Sequence, residues 1–373
     1  MDFDYSDEQQ LLRESVARFV REEYAFDARK RLIASGAPFS ASHWSLFAEL
    51  GWLAVPLPED CGGLGGSAVD NAIVLEEFGR GLVLEPWVPT LILGAGAIAA
   101  LGTPAQQAAL LPRVIAGDLQ LALAHSETGA RHTLGTVATR AVQTPSGWRV
   151  DGSKCVVLNA PAAETLLVSA RENAGGIGVF LVPAAAEGLR LRAYRNVDGT
   201  VAAEVWLEAV DLAADARLGD APDALPAIAM LHDRAALSVC AEAIGIMAAL
   251  LQKTVEYTKT RRQFGVTISQ FQALQHRMAD MFIELEQARS ILLMALLTAD
   301  ADGDVPRAVS AAKSRIGRAA RRLGEEAIQL HGGIGVTEDL DVGHYVKRLV
   351  AIEAVFGNSD WHLKRFAETT DAD

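Results

Sequence analysis

The spacing of the apolar residues changes twice along this 373-residue chain, and these changes constrain the fold more than any other feature. Before about Leu119 and after about Pro226 the apolar residues recur at helical spacing, whereas between these points they form short runs separated by turn residues. Short strands at that spacing indicate an antiparallel sandwich or barrel. We therefore predict an α+β protein, with an N-terminal helical domain over 1–118, a middle antiparallel β-barrel or sandwich over 119–222 and a C-terminal four-helix bundle over 223–373.

Local signals place several of the helices. Ser6 followed three residues later by Gln9 predicts a capping box that opens an amphipathic helix. Gly117 predicts a helix C-cap. The other helices predicted from the apolar spacing cover 42–50, 68–79, 91–115, 226–260, 270–300, 305–331 and 340–367.

Composition narrows the class of partners. Half of the residues are hydrophobic, so the chain can bury a large core and subunit interfaces. The formal net charge of −13 argues against a non-specific nucleic-acid binder, because phosphate would be repelled. The three cysteines, Cys61, Cys155 and Cys240, are widely spaced and odd in number, which indicates buried thiols in a reducing compartment and no metal site.

No segment predicts export or membrane insertion. The acidic N-terminus lacks the basic and apolar regions of a signal peptide. The longest apolar run, 91–101, has about half of the roughly 20 residues needed to cross a bilayer. We expect a cytoplasmic protein that does not act at a membrane.

The segment Tyr257–Gln272 connects two long segments of helical spacing. Consecutive polar residues before an aromatic residue and a glycine predict that one helix ends here, a loop follows and a new helix begins. Such a corner offers backbone groups to a ligand. A simpler interpretation of Arg261 and Arg262 is that their charges complement the dipole of the helix C-terminus.

Two further segments are rich in glycine. In Gln329–Gly335 the missing Cβ atoms permit close approach of a ligand, although a plain glycine-rich helix C-cap fits too. His331 within it is expected to pack or hydrogen-bond rather than to catalyse. Pro56–Gly66 is either a phosphate loop or a connection between helices, and the lack of a Lys-Ser/Thr ending favours the connection.

Two of these segments together closely resemble the FAD-binding signature of the acyl-CoA dehydrogenase family. Arg261-x-x-Phe264-Gly, followed by Phe271-Gln272, matches one family motif, and Gln329–Gly335 matches the family's Gln-x-x-Gly-Gly-x-Gly loop. The resemblance implies an acyl-CoA dehydrogenase-like fold over essentially the whole chain, with FAD as the cofactor.

The resemblance also implies roles for individual residues. Arg261 would donate charge-assisted hydrogen bonds to the FAD pyrophosphate, and Phe264 would pack on the nucleotide. These groups would serve a flavin whose ring lies in another chain. The other cofactor-binding residues implied in this region are Gln272, Gln329, Gly332 and Gly333.

In the middle domain the match to the family is partial. Ala124–Arg131 stands in the place of the family's Thr-Glu-Pro-x-Ala-Gly-Ser loop, which faces the flavin ring and the acyl thioester, and Ser126 keeps a hydroxyl for the cofactor there. On the strand that follows Lys154, Val156 replaces the aromatic residue that packs against the flavin. Leu158 replaces the hydroxyl that hydrogen-bonds the ring.

The family's base is a carboxylate that removes the α-proton of the acyl thioester while the β-hydrogen leaves as hydride. Most members carry it before a glycine turn near the C-terminus, where this chain has Phe356, which cannot act as a base. Some members carry it early in the first bundle helix, where this chain offers Asp233 beside Arg234. We predict Asp233 as the base and Arg234 as a substrate contact; alternatively, Asp233 is an acidic residue in a helix first turn. A solvated or salt-bridged helix face is predicted for Arg315, Arg318 and Arg322.

The resemblance leaves two functions open. In the first, the chain is an FAD-dependent acyl-CoA dehydrogenase that desaturates an acyl-CoA thioester, passes electrons to an electron-transfer flavoprotein and forms a homodimer or homotetramer. In the second, it is a subunit of a heterotetramer and completes a partner's FAD site with little or no catalysis of its own. Phe356 and the altered strand are similar to the smaller subunits of pimeloyl-CoA or steroid side-chain dehydrogenases. A purely structural helical protein would not need both motifs.

Overall fold

The structure is a computed structural model that describes residues 5–173, 175–301 and 303–370. These residues form two compact units. The sheet unit comprises Leu32–Gly66 and Leu84–Ala235, and the helical unit comprises the chain up to Arg31, Ser67–Val83 and the chain from Ala236 onward. The division into three consecutive domains stays a prediction.

The helices agree with the predicted α, β, α order. The described α-helices are α1 (Asp7–Glu23), α2 (Phe26–Ala34), α3 (Ala41–Glu49), α4 (Ala68–Gly81), α5 (Gly96–Leu101), α6 (Pro104–Ile115), α7 (Leu225–Thr260), α8 (Gln272–Asp300), α9 (Val305–His331), α10 (Val342–Ala354) and α11 (Ser359–Thr370). The capping box is confirmed, because the Gln9 N–H donates to Ser6 Oγ and the Ser6 N–H donates to Gln9 Oε1. Gly117 follows α6 at φ +81°, as predicted for a C-cap. A π-helix, Val88–Ala95, precedes α5.

Seven strands form the sheet of the sheet unit, in the order β1-β4-β2-β3-β7-β6 with β5 paired to β4. They are β1 (Leu121–Ala124), β2 (Arg140–Thr144), β3 (Gly147–Leu158), β4 (Thr165–Glu172), β5 (Ile177–Pro183), β6 (Leu189–Arg195) and β7 (Val201–Ala213). The sheet is mixed rather than wholly antiparallel, since β1 and β2 both run parallel to β4. The loop between β1 and β2 does not reverse the direction of the chain. Both strands therefore run the same way, and each pairs in parallel with β4.

Alternating residues of the long strands fill the core of the sheet. On β7 the buried Ala203, Val205 and Leu207 follow the twofold period of a strand. On β3 the buried Val150 and Val157 are an odd number of residues apart, because the strand is irregular between them. Phe180 on β5 closes this core and meets Trp148 edge to face, with ring centroids 5.1 Å apart.

A buried ion pair ties the loop after β1 to the sheet. The Lys154 ammonium is fully buried and donates to Glu127 Oε1 at 2.7 Å, to Ser169 Oγ at 3.1 Å and to the His125 carbonyl at 3.3 Å. Burial alone would raise the pKa of Glu127, but hydrogen bonds from Lys154 and Thr139 lower that pKa to about 2. Burial lowers the pKa of Lys154 to about 8 although Glu127 opposes the change. Both groups are therefore charged at neutral pH.

Small side chains let the helices of the helical unit approach closely. On α9 the buried face includes Ala312, Gly317, Ala319 and Ala320. A Cβ atom on Gly317 would lie 2.0 Å from Glu353 Oε2 and 2.3 Å from Ser359 Oγ. A larger residue at 317 would therefore displace the hydrogen bond between Ser359 and the Glu353 carboxylate.

The last predicted helix, 340–367, is interrupted by Val355–Asn358 and divides into α10 and α11. Phe356 at φ +56° and Gly357 at φ +92° cannot continue a right-handed helix. The buried Lys313 ammonium occupies the break, donating to the carbonyls of Ile352 at 2.9 Å and Gly357 at 2.8 Å. The C-terminal carbonyls of α10 are thus satisfied by a side chain from α9.

Among the described residues one helix, α7, is long and apolar enough to cross a membrane by length and composition. Within its most apolar 18-residue window, 83% of the residues are buried inside the protein. Such burial is typical of the core helix of a folded protein.

We predict that Lys154→Met lowers the free energy of unfolding by about 3–5 kcal/mol, because it leaves the Glu127 carboxylate buried without its cation. Urea denaturation of the full chain measures this. The matched control is Arg149→Met on the same strand, whose partner Asp211 is exposed, and the midpoint should stay unchanged. Adding Glu127→Gln to Lys154→Met should recover part of the loss. Equal midpoints for Lys154→Met and Arg149→Met would contradict the prediction.

Candidate functional site

The corner after α7 is a short hairpin with an exposed aromatic tip. Strands β8 (Arg262–Gln263) and β9 (Val266–Thr267) pair antiparallel, and the two residues between them, Phe264 and Gly265, have φ of +53° and +83°. Two positive φ angles are typical of the type I′ turn that joins two-residue hairpins. Phe264 is 91% exposed and touches Phe271 edge to face at 6.1 Å. A phenylalanine in this conformation and exposure indicates a surface that something else covers.

Arg261 stands at the base of this hairpin. Its N–H donates to the Tyr257 carbonyl at 2.9 Å, so it continues the helical hydrogen bonds of α7, and its own carbonyl accepts from the Ile268 N–H at 2.9 Å. The side chain is exposed. At this position the Arg261 charge also complements the dipole at the C-terminus of α7.

The second glycine-rich segment begins where α9 ends. Gln329 is exposed in the last turn, and Gly332 at φ +66° terminates the helix. Gly333 has no such φ requirement, and a Cβ atom there would meet no atom of this chain within 4 Å. Neither backbone conformation nor packing within the chain therefore requires glycine at 333, whereas close approach of a ligand would.

The structure brings these two segments together. The Tyr257 ring at the end of α7 stacks on the His331 ring at 4.5 Å, and the Tyr257 hydroxyl donates to the His331 carbonyl at 3.3 Å. His331 is buried and packs as predicted. Gln272, also exposed, is the first residue of α8, whose N-terminus has no side-chain cap and therefore presents backbone N–H groups to an anion.

In the sheet unit, Ser126 is exposed on the loop after β1, and its carbonyl accepts from the Cys155 N–H at 2.9 Å. Val156 lies on the bulge of β3 at φ +51° and is 48% exposed. Its N–H donates to Glu204 Oε1 at 3.4 Å, and Tyr194 donates to the same oxygen at 2.9 Å. Sequence reasoning missed Glu204 and Tyr194, because the pairing of β3, β6 and β7 that joins them leaves no local signal.

The resemblance places the base of the family at one of two positions in this chain, Asp233 or Phe356, and the structure describes both. Asp233 is 4% exposed and lies in the third turn of α7, which begins at Leu225, so the first-turn alternative is wrong. Arg234 is exposed. The loop that carries Phe356 is rigidly held, since His362 Nε2 bonds the Phe356 carbonyl at 2.8 Å and the Glu353 carboxylate accepts from the Ser359 N–H at 2.8 Å.

The remaining sequence features are structural. In Pro56–Gly66 the N–H groups of residues 63 to 66 all donate to carbonyls of residues 54 to 58, which confirms a connecting loop and leaves no phosphate cradle. The arginine face of α9 is salt-bridged as predicted, with partners Glu284 and Asp360. The prediction of buried thiols is confirmed for Cys240, where burial raises the pKa to about 12, and is wrong for Cys61 and Cys155, which are partly exposed. The described ranges contain no group of three or more His, Cys, Asp or Glu side chains arranged to hold a metal ion.

Comparison with known proteins matches nearly the whole chain to one family. Sequence models of the acyl-CoA dehydrogenase N-terminal, middle and C-terminal domains match residues 6–118, 122–210 and 227–370. A probable acyl-CoA dehydrogenase, YngJ of Bacillus subtilis, is 30% identical and the match covers 96% of this chain and 97% of YngJ.

Solved structures agree. A variant of the Tcur3481-Tcur3483 steroid ACAD is similar with a TM-score of 0.88, 31% identity and 98% of each chain covered. The ChsE4-ChsE5 complex from Mycobacterium tuberculosis gives a TM-score of 0.91, 27% identity and 100% of each chain covered. PigA, solved with FAD and proline, gives 0.92 and 25%, with 100% of this chain and 99% of PigA covered.

FAD is the cofactor that these comparisons indicate. The corner of the helical unit fits its adenosine diphosphate part, because the exposed Arg261, the exposed Phe264 ring and the open backbone at Gly333 face away from their own chain's core. The sheet unit fits the flavin ring less well. There the Glu204 carboxylate accepts a hydrogen bond from the N–H of the bulge residue Val156. The aliphatic side chain of Val156 cannot stack on the flavin ring as an aromatic residue would, and Leu158 has no hydroxyl to donate to the ring.

We predict that Gly333→Ala weakens FAD binding by about tenfold to a hundredfold, because the added methyl group occupies the space a bound nucleotide needs. Flavin fluorescence titration of the oligomer that retains FAD measures this. The melting temperature should not change, since the new Cβ meets nothing in the chain. Gly324→Ala on α9 is the matched control: its Cβ would make only ordinary contacts and should leave FAD affinity intact. Unchanged affinity in Gly333→Ala would show that no ligand approaches this backbone.

Proposed function

Since the chain belongs to the acyl-CoA dehydrogenase family, we propose that it takes part in the FAD-dependent α,β-desaturation of an acyl-CoA thioester by completing the FAD site of another subunit. Bound FAD supplies the hydride acceptor. Arg261 holds the pyrophosphate through charge-assisted hydrogen bonds, and Phe264 packs on the nucleotide. Gly332 and Gly333 let the loop backbone approach the adenosine diphosphate part, with Gln272 and Gln329 beside them.

The observation that carries this proposal is the exposed hairpin tip. Phe264 is 91% exposed at the tip of the hairpin; the positive φ serves the turn, but most of the aromatic ring is left uncovered by its own chain. A nucleotide held by a neighbouring chain provides the missing contact. The ring-binding part of such a site then comes from the neighbour rather than from this chain.

Three features favour a different chain as that neighbour. Phe356 stands where most family members carry the carboxylate base, and Val156 and Leu158 replace the flavin-contacting side chains. Two similar solved structures, Tcur3481-Tcur3483 and ChsE4-ChsE5, are each named for two different chains. By this argument the assembly is a heterotetramer with a related subunit that supplies the base, and electrons pass to an electron-transfer flavoprotein in the cytoplasm.

A second candidate function is that of a self-sufficient dehydrogenase in a homodimer or homotetramer. The observation that favours it is the burial of Asp233, which is 4% exposed, since a base that removes the α-proton must be shielded from water. Ser126 would then face the cofactor and Arg234 the acyl-CoA substrate.

Stoichiometry separates the two functions. The chain should be colourless as a monomer in size-exclusion chromatography, and co-purification with its genomic neighbours should give one FAD per two different chains. One FAD per chain in a homo-oligomer would favour the self-sufficient enzyme. A yellow monomer would contradict both, because the Arg261 and Gln329 groups would then not serve a neighbour's flavin.

In either assembly, Arg261→Ala should weaken FAD retention by roughly tenfold or more, because it removes charge-assisted hydrogen bonds worth about 1.5–3 kcal/mol each. Lys259→Ala removes an exposed charge of the same sign within the same turn and serves as the control. Equal flavin content after dialysis of the two variants would remove Arg261 from the site.

We predict for a self-sufficient enzyme that Asp233→Asn abolishes flavin reduction by acyl-CoA and leaves FAD in place, since the amide keeps the shape and loses the basicity. Stopped-flow bleaching of the flavin absorbance measures this. Aspartate is about 1 Å shorter than glutamate, and a displacement of that size can cost about a hundredfold in rate, so the wild type should itself be slow. Bleaching of the variant at the wild-type rate would assign the base to a partner chain.

A further inference from the structure

The end of α7 presents three functional side chains along one face. Lys253, Tyr257 and Arg261 are spaced four residues apart, so they lie on the same side of the helix at intervals of about 6 Å. The helical hydrogen bond from the Arg261 N–H to the Tyr257 carbonyl extends this geometry to the third residue. A loop held by the first two residues is therefore held at a defined distance from the Arg261 backbone.

Tyr257 holds the beginning of the glycine loop. Its hydroxyl donates to the His331 carbonyl at 3.3 Å and its ring stacks on the His331 ring at 4.5 Å with 27° between the planes. His331 is in turn anchored by a 2.8 Å bond between its Nδ1 and the Ala327 carbonyl. The residue that immediately precedes Gly332 is thus fixed on both its backbone and its side chain.

Lys253 holds the other end of the same loop. Its ammonium lies 2.8 Å from Asp341 Oδ2, and Asp341 is the residue from which α10 starts. The Asp341 side chain is 15% exposed and that of Lys253 is 37% exposed. The segment between His331 and Asp341, which contains Gly332 and Gly333, is therefore attached to α7 at both ends.

We propose that Tyr257 and Lys253 are positioning residues that fix the distance between Arg261 and the Gly332-Gly333 backbone. This inference rests on the proposed function, in which these two elements bind the same adenosine diphosphate moiety. The reason is rigidity: a dinucleotide binds tightly only when its contacts are already spaced correctly, since ordering a loop on binding weakens affinity. Because Lys253, Tyr257 and Arg261 lie on one face of α7, that face sets the spacing between Arg261 and the Gly332-Gly333 backbone.

The experiment measures FAD dissociation constants by fluorescence titration of the oligomer that retains FAD, together with melting temperatures. Tyr257→Phe keeps the stacked ring and loses the hydroxyl, so affinity should fall about threefold. Tyr257→Leu loses both and should cost roughly tenfold or more. Lys253→Met frees the Asp341 end and should cost about threefold.

A merely structural role is tested with Leu292→Ala. Leu292 is buried on α8, about 30 Å further along that helix than Gln272, and its truncation destabilises the helical unit without touching the loop. Its FAD affinity should match the wild type even where its melting temperature falls as far as that of Tyr257→Leu. This comparison separates loss of alignment from loss of stability.

Each outcome supports or overturns one of the two proposals. A graded loss of affinity from Tyr257→Phe to Tyr257→Leu, absent in Leu292→Ala, supports the positioning role. If Tyr257→Leu binds FAD as tightly as Leu292→Ala while Arg261→Ala does not, the positioning role is wrong and the proposed function stands. If Arg261→Ala also keeps full affinity, the proposed function itself fails.

Discussion

Each compact unit contains a buried lysine whose ammonium N–H groups donate to oxygen atoms of a loop, and the path of that loop depends on these hydrogen bonds. In the sheet unit Lys154 bonds the loop after β1, and in the helical unit Lys313 bonds the break between α10 and α11. A buried ammonium without partners is strongly unfavourable, so the path of each loop and the burial of its lysine require one another. Lys154 has a counter-ion in Glu127, whereas the Lys313 ammonium is bonded by carbonyl groups. Burial accordingly lowers the pKa of Lys313, while the Cys240 thiol and Glu353 oppose the change.

In contrast to these buried groups, the corner after α7 exposes an aromatic ring and an open glycine backbone. A non-glycine residue at positive φ costs on the order of 1–3 kcal/mol, and the exposure of the Phe264 ring adds nothing to the stability of its own chain. Gly333 also leaves its surface open to a ligand, because neither its backbone conformation nor its packing within the chain requires glycine. The strain and the open backbone are explained together when a nucleotide held by another chain covers both.

Local chemistry made much of this fold predictable from the sequence. The Ser6–Gln9 capping box, the change from helical to strand spacing and the helix–loop–helix corner at 257–272 each follow from neighbouring residues, whereas the short hairpin within that corner was not predicted. The α10–α11 break was missed although Gly357 and Asn358 form a local turn signal. The contacts of Lys313 with this break and the Lys154–Glu127 pair could not be found locally, because their partners are far apart in sequence. The first-turn alternative for Asp233 conflicts with the predicted bounds themselves, since a helix over 226–260 already places Asp233 beyond its first turn, as does the observed start at Leu225. The motifs located the candidate cofactor residues, but only the structure shows the contact of Tyr257 with His331.

The rigidity of the loop around Phe356 bears on how a chain of this family can function without a base at that position. The loop is held by Lys313, by His362 and by the Glu353–Ser359 hydrogen bonds, none of which involves the side chain at position 356. These hydrogen bonds are made by the main chain at 356 and by neighbouring side chains, so they do not require a carboxylate at that position. Under the proposed function, a subunit could therefore lose the base at 356 and keep the hydrogen bonds that hold this loop between α10 and α11.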